Sequence, residues 1–198
     1  MSELIKGVVD GTRLIILPTP LVEQVKVLAA NKGVSLSTYA ENALKEALRA
    51  EELGTSLGET VDLYHLYEVQ RGSGALHVSR TSLDQLLTGL YRDRRDELHR
   101  LWQDSGRWYG EFLYAKLGED QTMGFLEKVL LVSWNLDETE VKRSYLMVDV
   151  RLVSFTMSVE LTELMVSFIA GVMDSLGYEL NNREVERGLV SLSYRKKP

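Results

Sequence analysis

The chain has 198 residues and no cysteine. Disulfides, thiolate metal sites and cysteine nucleophiles are therefore excluded. It has only three histidines, and they form no HExxH motif. There is no GxSxG elbow and no glycine-rich phosphate loop. No catalytic constellation, metal site or cofactor is expected, and an enzyme is the least favoured class. The N-terminus MSELIKGVVDG lacks the basic and long apolar regions of a signal peptide. The longest apolar helix candidate, 158–176, is interrupted by Glu160, Glu163, Ser167 and Asp174. Those residues suit a buried helix of a cytoplasmic protein and not a membrane span. The net charge of −6 opposes DNA binding by the chain as a whole and permits it only where charge is segregated.

What is present concentrates between Thr12 and Glu52. A short apolar strand, Arg13 to Leu17, precedes two amphipathic helices joined at Lys32-Gly33-Val34-Ser35. Thr19-Pro20 signals a helix start, with Thr19 as cap and proline in the first turn. Leu21, Val22, Val25, Leu28 and Ala29 recur at helical spacing. Gly33 is placed to end that helix, and Ser35 to cap the next. Leu36, Ala40, Ala43, Leu44 and Ala47 form a second stripe, and Glu41 and Lys45 an i, i+4 pair. A strand and two helices of this length cannot close a core alone. A second copy of the chain would complete it, two strands pairing as an antiparallel ribbon over four helices.

The run LIILPTPLVEQVKVLAANKGVSLSTYAENALKEAL resembles the ribbon-helix-helix family over residues 12–52. The resemblance implies a homodimeric DNA-binding module, placed here at 1–53. By position, Ile15 and Leu17 would face the dimer core. Thr12, Leu14 and Ile16 would face the major groove, with Arg13 reaching toward an edge. Ser35 and Ser37, at the start of the second helix, would hold phosphate. Leu14 and Ile16 are apolar where relatives in that family place polar or basic side chains. They can touch thymine methyls but cannot make bidentate contacts to bases. Across residues 1–50 six basic side chains stand against five acidic ones. The alternative is an interaction protein whose ribbon only dimerises, its apolar strand covered on both faces.

Gly54-Thr55-Ser56-Leu57-Gly58 reads as a linker, with a second domain from 59 to 198. Leu63–Val69 and Ala75–Ser79 flank Arg71-Gly72-Ser73-Gly74 and predict a β-hairpin, which would set His65 opposite His77. Helices are predicted over 82–103, 107–117 and 122–134. The charged run Arg92 to Arg100 reads as a solvated face of ion pairs, with His99 exposed. Strands are predicted at 140–144 and 146–154. A long helix follows at 158–176, capped by Ser158 and ended by Gly177, and then strands at 178–181 and 188–195. The order gives an α+β fold with an antiparallel sheet and a long amphipathic helix.

Residues 108–118 (WYGEFLYAKLG), Phe125-Leu126, the strand 145–155 and the segment 168–194 resemble the four-vinyl-reductase-type small-molecule-binding domain. Glu184 and Gly188 sit where that family has its terminal Glu and Gly; its cysteine pair is absent. The resemblance implies a ligand-sensing domain with an apolar pocket between helices and sheet. Trp108, Phe112, Phe125, Met165 and Phe168 are the candidate pocket residues for a small apolar ligand. The bland reading is that each fills an ordinary core. The combined expectation is a DNA-binding transcriptional regulator, homodimeric, with a C-terminal ligand-sensing domain.

Overall fold

The computed structural model describes residues 15–198, the side chains at 119 and 120 excepted. In chain order the elements are helices α1 (Thr19–Asn31), α2 (Leu36–Glu52), α3 (Leu57–Gly72), α4 (Arg80–Leu117) and α5 (Glu119–Ser133). Strands β1 (Glu138–Arg143) and β2 (Met147–Val153), helix α6 (Val159–Ser175), and strands β3 (Tyr178–Glu186) and β4 (Leu189–Lys196) complete it. The class is α+β, and the sheet is four-stranded and antiparallel throughout, in the order β1-β2-β4-β3. Contacts divide the chain into two units, one ending at Leu63 and the other starting at Tyr64, so the boundary falls inside α3. No helix among the described residues is long and apolar enough to cross a membrane.

In the first unit α1 and α2 pack on each other. Ser35 caps α2 as its chemistry suggests, its Oγ accepting from Thr38 N–H at 3.0 Å. Glu41 and Lys45 pair at 2.7 Å. Thr19 does not cap: Pro18 holds the cap position without a side-chain bond, and Thr19 and Pro20 lie within the first turn. Thr12, Arg13 and Leu14 lie outside the described residues. Ile15, Ile16 and Leu17 form no strand in the single chain and are exposed. Only Ala29 and Ala50 are buried among the described residues of this unit.

The β-hairpin expected around 63–79 is absent. Its first arm is the helix α3, and residues 75–79 have no regular structure. A reciprocal capping box fixes the start of α3. Ser56 N–H donates to the Glu59 carboxylate at 2.7 Å, and Glu59 N–H donates back to Ser56 Oγ at 3.2 Å. The residues read as a linker are thus a turn and a helix cap. Leu66, Val69 and Gln70 then bury one face at helical spacing. Gly74, at φ +73°, lets the chain reverse so that Ala75 N–H reaches the Gln70 carbonyl at 3.1 Å. His65 and His77 do not face each other. His65 sits edge-on to Phe125, ring centroids 5.7 Å apart. No group of three or more His, Asp or Glu among the described residues could hold a metal.

Two predicted helices, 82–103 and 107–117, are one 38-residue element, α4, kinked at Arg94 (φ −130°, ψ 29°). The segment Asp104-Ser105-Gly106 reads as a break but stays helical, because α6 lies against it. A Cβ on Gly106 would stand 2.0 Å from the Phe168 carbonyl oxygen. Helix α6 is the centre of the second unit. Ser158 caps it through Leu161 N–H, and Leu161, Leu164, Met165, Ile169, Val172 and Met173 are all buried. It packs against α4 on one side and β3 and β4 on another, while α5 packs on β1. Val148, Val150 and Leu152 of β2, with Val190, Leu192 and Tyr194 of β4, supply the buried face of the sheet. Asp149 and Arg151 alternate outward to solvent. Strand β3 does not stop at Asn181; it passes through a bulge between Leu180 and Asn182 and pairs on to Glu186.

Candidate functional site

A cavity of about 690 Å³ opens in the second unit where four helices converge. The end of α3 and the turn after it contribute Gln70, Ser73, Gly74 and Ala75. Helix α4 contributes Asp104, Ser105, Trp108 and Tyr109. Helix α5 and its C-cap contribute Val129, Ser133 and Trp134, and α6 contributes Phe168. The size falls within the range of ligand pockets, and the composition, aromatic with a few polar groups, suits one.

The walls are built from rings that lean on each other. Phe168 touches Tyr109 at 5.7 Å and Trp134 at 5.6 Å between centroids, both tilted. Such tilted contacts are favourable for aromatic quadrupoles and fix the rings. Tyr109 is buried, and its hydroxyl has no hydrogen-bond partner among the described residues; burial pushes its phenol well above the usual range. Gln70 is the buried polar group of the lining, 6% exposed, and its amide nitrogen donates to Ser133 Oγ.

Of the five residues expected to form a pocket, Trp108 and Phe168 line this cavity. Phe112 lies behind, its ring stacked on Trp108 at 5.6 Å and 13°. Phe125 is buried on α5 against His65, and Met165 is core at 1% exposure, so neither lines the cavity. Sequence reasoning missed Gln70, Tyr109, Ser133 and Trp134 as lining residues. Gln70 was hidden by the hairpin reading of α3. The helical spacing of Asp104, Ser105, Trp108 and Tyr109 along α4 was the available signal for that wall. In the first unit Ile16 is 89% exposed, Ser37 is exposed, and Ser35 is engaged in capping.

A second cluster joins α4 to α6. Tyr91 donates to the Glu163 carboxylate, which also receives Arg95 at 2.7 Å. His99 is not the exposed residue its charged surroundings suggest; its side chain is 26% exposed and both ring nitrogens are engaged. Nε2 lies 2.8 Å from the Tyr91 hydroxyl and Nδ1 2.6 Å from Ser167 Oγ. Burial pushes the Glu163 carboxyl up, but the bonds from Tyr91 and Arg95 outweigh it and hold it below its usual range. Tyr91 lies before the kink at Arg94, and Arg95 and His99 after it, so Glu163 ties both halves of α4 to α6. The chemistry of this cluster is that of a clamp: its polar atoms are spent on each other. Arg94 pairs with Glu97, as expected of a solvated ion-pair face.

No protein-family model matches the chain, and no curated protein matches it. Some solved structures share a distant likeness. One is a protein in which porphyrin distortion modulates heme redox potential. It is 13% identical, with 69% of this chain and 92% of that one covered and a TM-score of 0.39. A mutant H-NOX from T. tengcongensis is 12% identical, with 68% and 88% covered and a TM-score of 0.36. A third, used to probe heme distortion in the H-NOX family, is 13% identical, with 68% and 86% covered and a TM-score of 0.37.

Proposed function

We propose that the protein is a homodimeric DNA-binding regulator whose second unit senses a small apolar ligand. One observation carries the dimer. Leu21, Leu28, Leu36, Leu44 and Leu48 are all exposed on α1 and α2, while only Ala29 and Ala50 are buried among the described residues of that unit. Two helices with their leucines in water have no core of their own, and a matching copy supplies the missing surface. The DNA role rests on the resemblance of residues 12–52 to ribbon-helix-helix proteins, and the ligand role on the aromatic cavity.

The test is fluorescence anisotropy with labelled genomic fragments at low and moderate salt, alongside sedimentation. A dimer whose DNA affinity falls with salt supports the reading. A dimer that binds no DNA at low salt rejects the DNA role. It leaves the second reading, an interaction protein that uses the ribbon only to dimerise. The near balance of charge, six basic against five acidic residues in 1–50, favours that reading.

A haem does not fit the cavity. Its lining holds no histidine, cysteine or methionine, the common axial ligands besides tyrosine. Tyr109 is a buried phenol, and burial pushes it well above its usual range, which disfavours the phenolate that would ligate iron. An ultraviolet–visible spectrum of the purified chain should show no Soret band, and a Soret band would overturn this reading.

A further inference from the structure

We infer that α3 carries a second subunit contact: an outward row of Leu57, Val61 and Tyr64 that meets the same row of a second copy, in parallel, along the two-fold axis. The inference rests on the homodimer of the proposed function and adds to it a contact outside the segment that resembles ribbon-helix-helix proteins.

Helix geometry gives α3 two faces. Its buried residues are Leu66, Val69 and Gln70. Nine positions separate Leu57 from Leu66, which at about 100° per residue puts them on opposite sides of the helix. Val61 and Tyr64 follow Leu57 at steps of four and three and share its side. The three are 41%, 59% and 64% exposed, and every residue from 57 to 65 is exposed. The first half of α3 thus holds an apolar row in water, on the side away from the residues the helix buries.

Three features fit this row to a second copy. Its order is that of a coiled-coil seam, with Leu57 at d, Val61 at a and Tyr64 at the next d; a β-branched a beside a leucine d favours two parallel strands. The flanking e and g positions, Gly58, Thr60, His65 and Tyr67, hold no carboxylate, lysine or arginine. Identical chains therefore bring no such like charges together beside the seam. Glu59 and Asp62 lie on the far side of the helix. The row ends where Glu68 and Arg71, next at the same spacing, pair with each other at 3.7 Å. Finally, exposed leucines run on along the chain from the segment proposed to dimerise: Leu44 and Leu48 of α2, then Leu53, then Leu57.

A row that lies on a two-fold axis meets its own copy residue by residue. So short a seam is too weak to join two chains by itself. It gains from the contact proposed for α1 and α2, which holds the second copy at high effective concentration. Gln70, near the end of the same helix, lines the cavity, so the ligand site and the subunit contact share one element.

The chain has no cysteine of its own, so introduced cysteines report on the contact without background. Leu57→Cys, Val61→Cys and Tyr64→Cys on the row, and Asp62→Cys and Leu63→Cys off it, are oxidised in the full-length protein and read on non-reducing gels. Like positions on a parallel seam lie within disulfide reach, so the row positions should crosslink about tenfold faster than the other two. Val61→Lys sets two ammonium groups against each other and should weaken the dimer about tenfold or more in sedimentation. All of these positions are exposed in the single chain, which keeps its fold. A dimer whose five cysteines crosslink at equal rates, fastest off the row, or not at all overturns the inference and leaves the homodimer standing. An unchanged dissociation constant for Val61→Lys does the same. A wild type that sediments as a monomer sinks both.

Discussion

Gly171 on α6 and Gln103 on α4 touch backbone to backbone: a Cβ on Gly171 would stand 1.9 Å from the Gln103 carbonyl oxygen. Gly106 repeats the relationship one helical turn along, toward Phe168. Two helices this close cannot admit a methyl group without moving apart, and α6 is buried along its length. Gly171→Ala should therefore cost about 3 kcal/mol in urea unfolding, at the upper end for an overpacked core. A cost below about 1 kcal/mol would show that the α4–α6 contact is looser than described.

Acid should weaken the end of the same helix pair. Lys197 and then Arg107 donate to Asp174, at 2.5 Å and 3.0 Å, and hold its carboxyl below the ordinary value of 3.8. A carboxylate lowered in the native state stabilises the fold above its unfolded value. The contribution is lost as pH falls through the native one. Asp174→Asn should melt below the wild type at neutral pH, and the two curves should converge under acid. A gap that persists below the native value would assign the effect to packing.

Removing the Tyr194 hydroxyl should cost little. It is buried at the sheet's core face with no hydrogen-bond partner among the described residues, and burial drives its phenol upward. Deleting an unsatisfied buried group is close to neutral or stabilising. Tyr194→Phe should change stability by less than about 1 kcal/mol, with a rise more expected than a fall. A large loss would mean that the oxygen has a partner.

The first unit offers a direct test of dimerisation. Wild type should sediment at twice the chain mass of 22.4 kDa. Leu28→Glu, placed on an exposed apolar face of α1, should give monomers and abolish DNA binding with them. Sedimentation of the unaltered chain as a monomer at micromolar concentration would sink the proposal.

The groove face can be probed by Leu14→Lys with Ile16→Lys. If these side chains meet DNA, the dimer survives, and non-specific affinity and its salt dependence both rise, since each added cation displaces counterions. If a partner or the chain itself covers them, the doubly substituted protein dissociates or unfolds.

Much of this architecture could be read from spacing. Ser35 and Ser158 cap the helices that their hydroxyls suggest. The apolar positions of α6, from Leu161 to Met173, mark a helix with little ambiguity. Strands β2 and β4 alternate as half-buried strands should. Where the reading failed, two local signals competed. The two tyrosines and the valine of Leu63–Val69 favour a strand, but the Ser56–Glu59 capping box upstream commits the chain to a helix before they are reached. Gly106 looks like a stop only until its partner is known; the proximity of α6 is invisible in the linear chain. The cavity failed for the same reason. Trp108 and Phe168 were accessible as aromatic residues, whereas Gln70 and Ser133 are 63 positions apart and meet only in the fold.

The leucines of α1 and α2 set the order of events in the cell. They are made before the helices and sheet of the second unit, and the packing of α1 on α2 leaves them wet. Under the dimer proposal their burial depends on meeting another chain, so maturation of this segment is a second-order process. Its yield then depends on expression level, and neighbouring nascent chains on one messenger gain an advantage. A scarce chain would persist half-finished, open to proteases and chaperones, until a sister arrives.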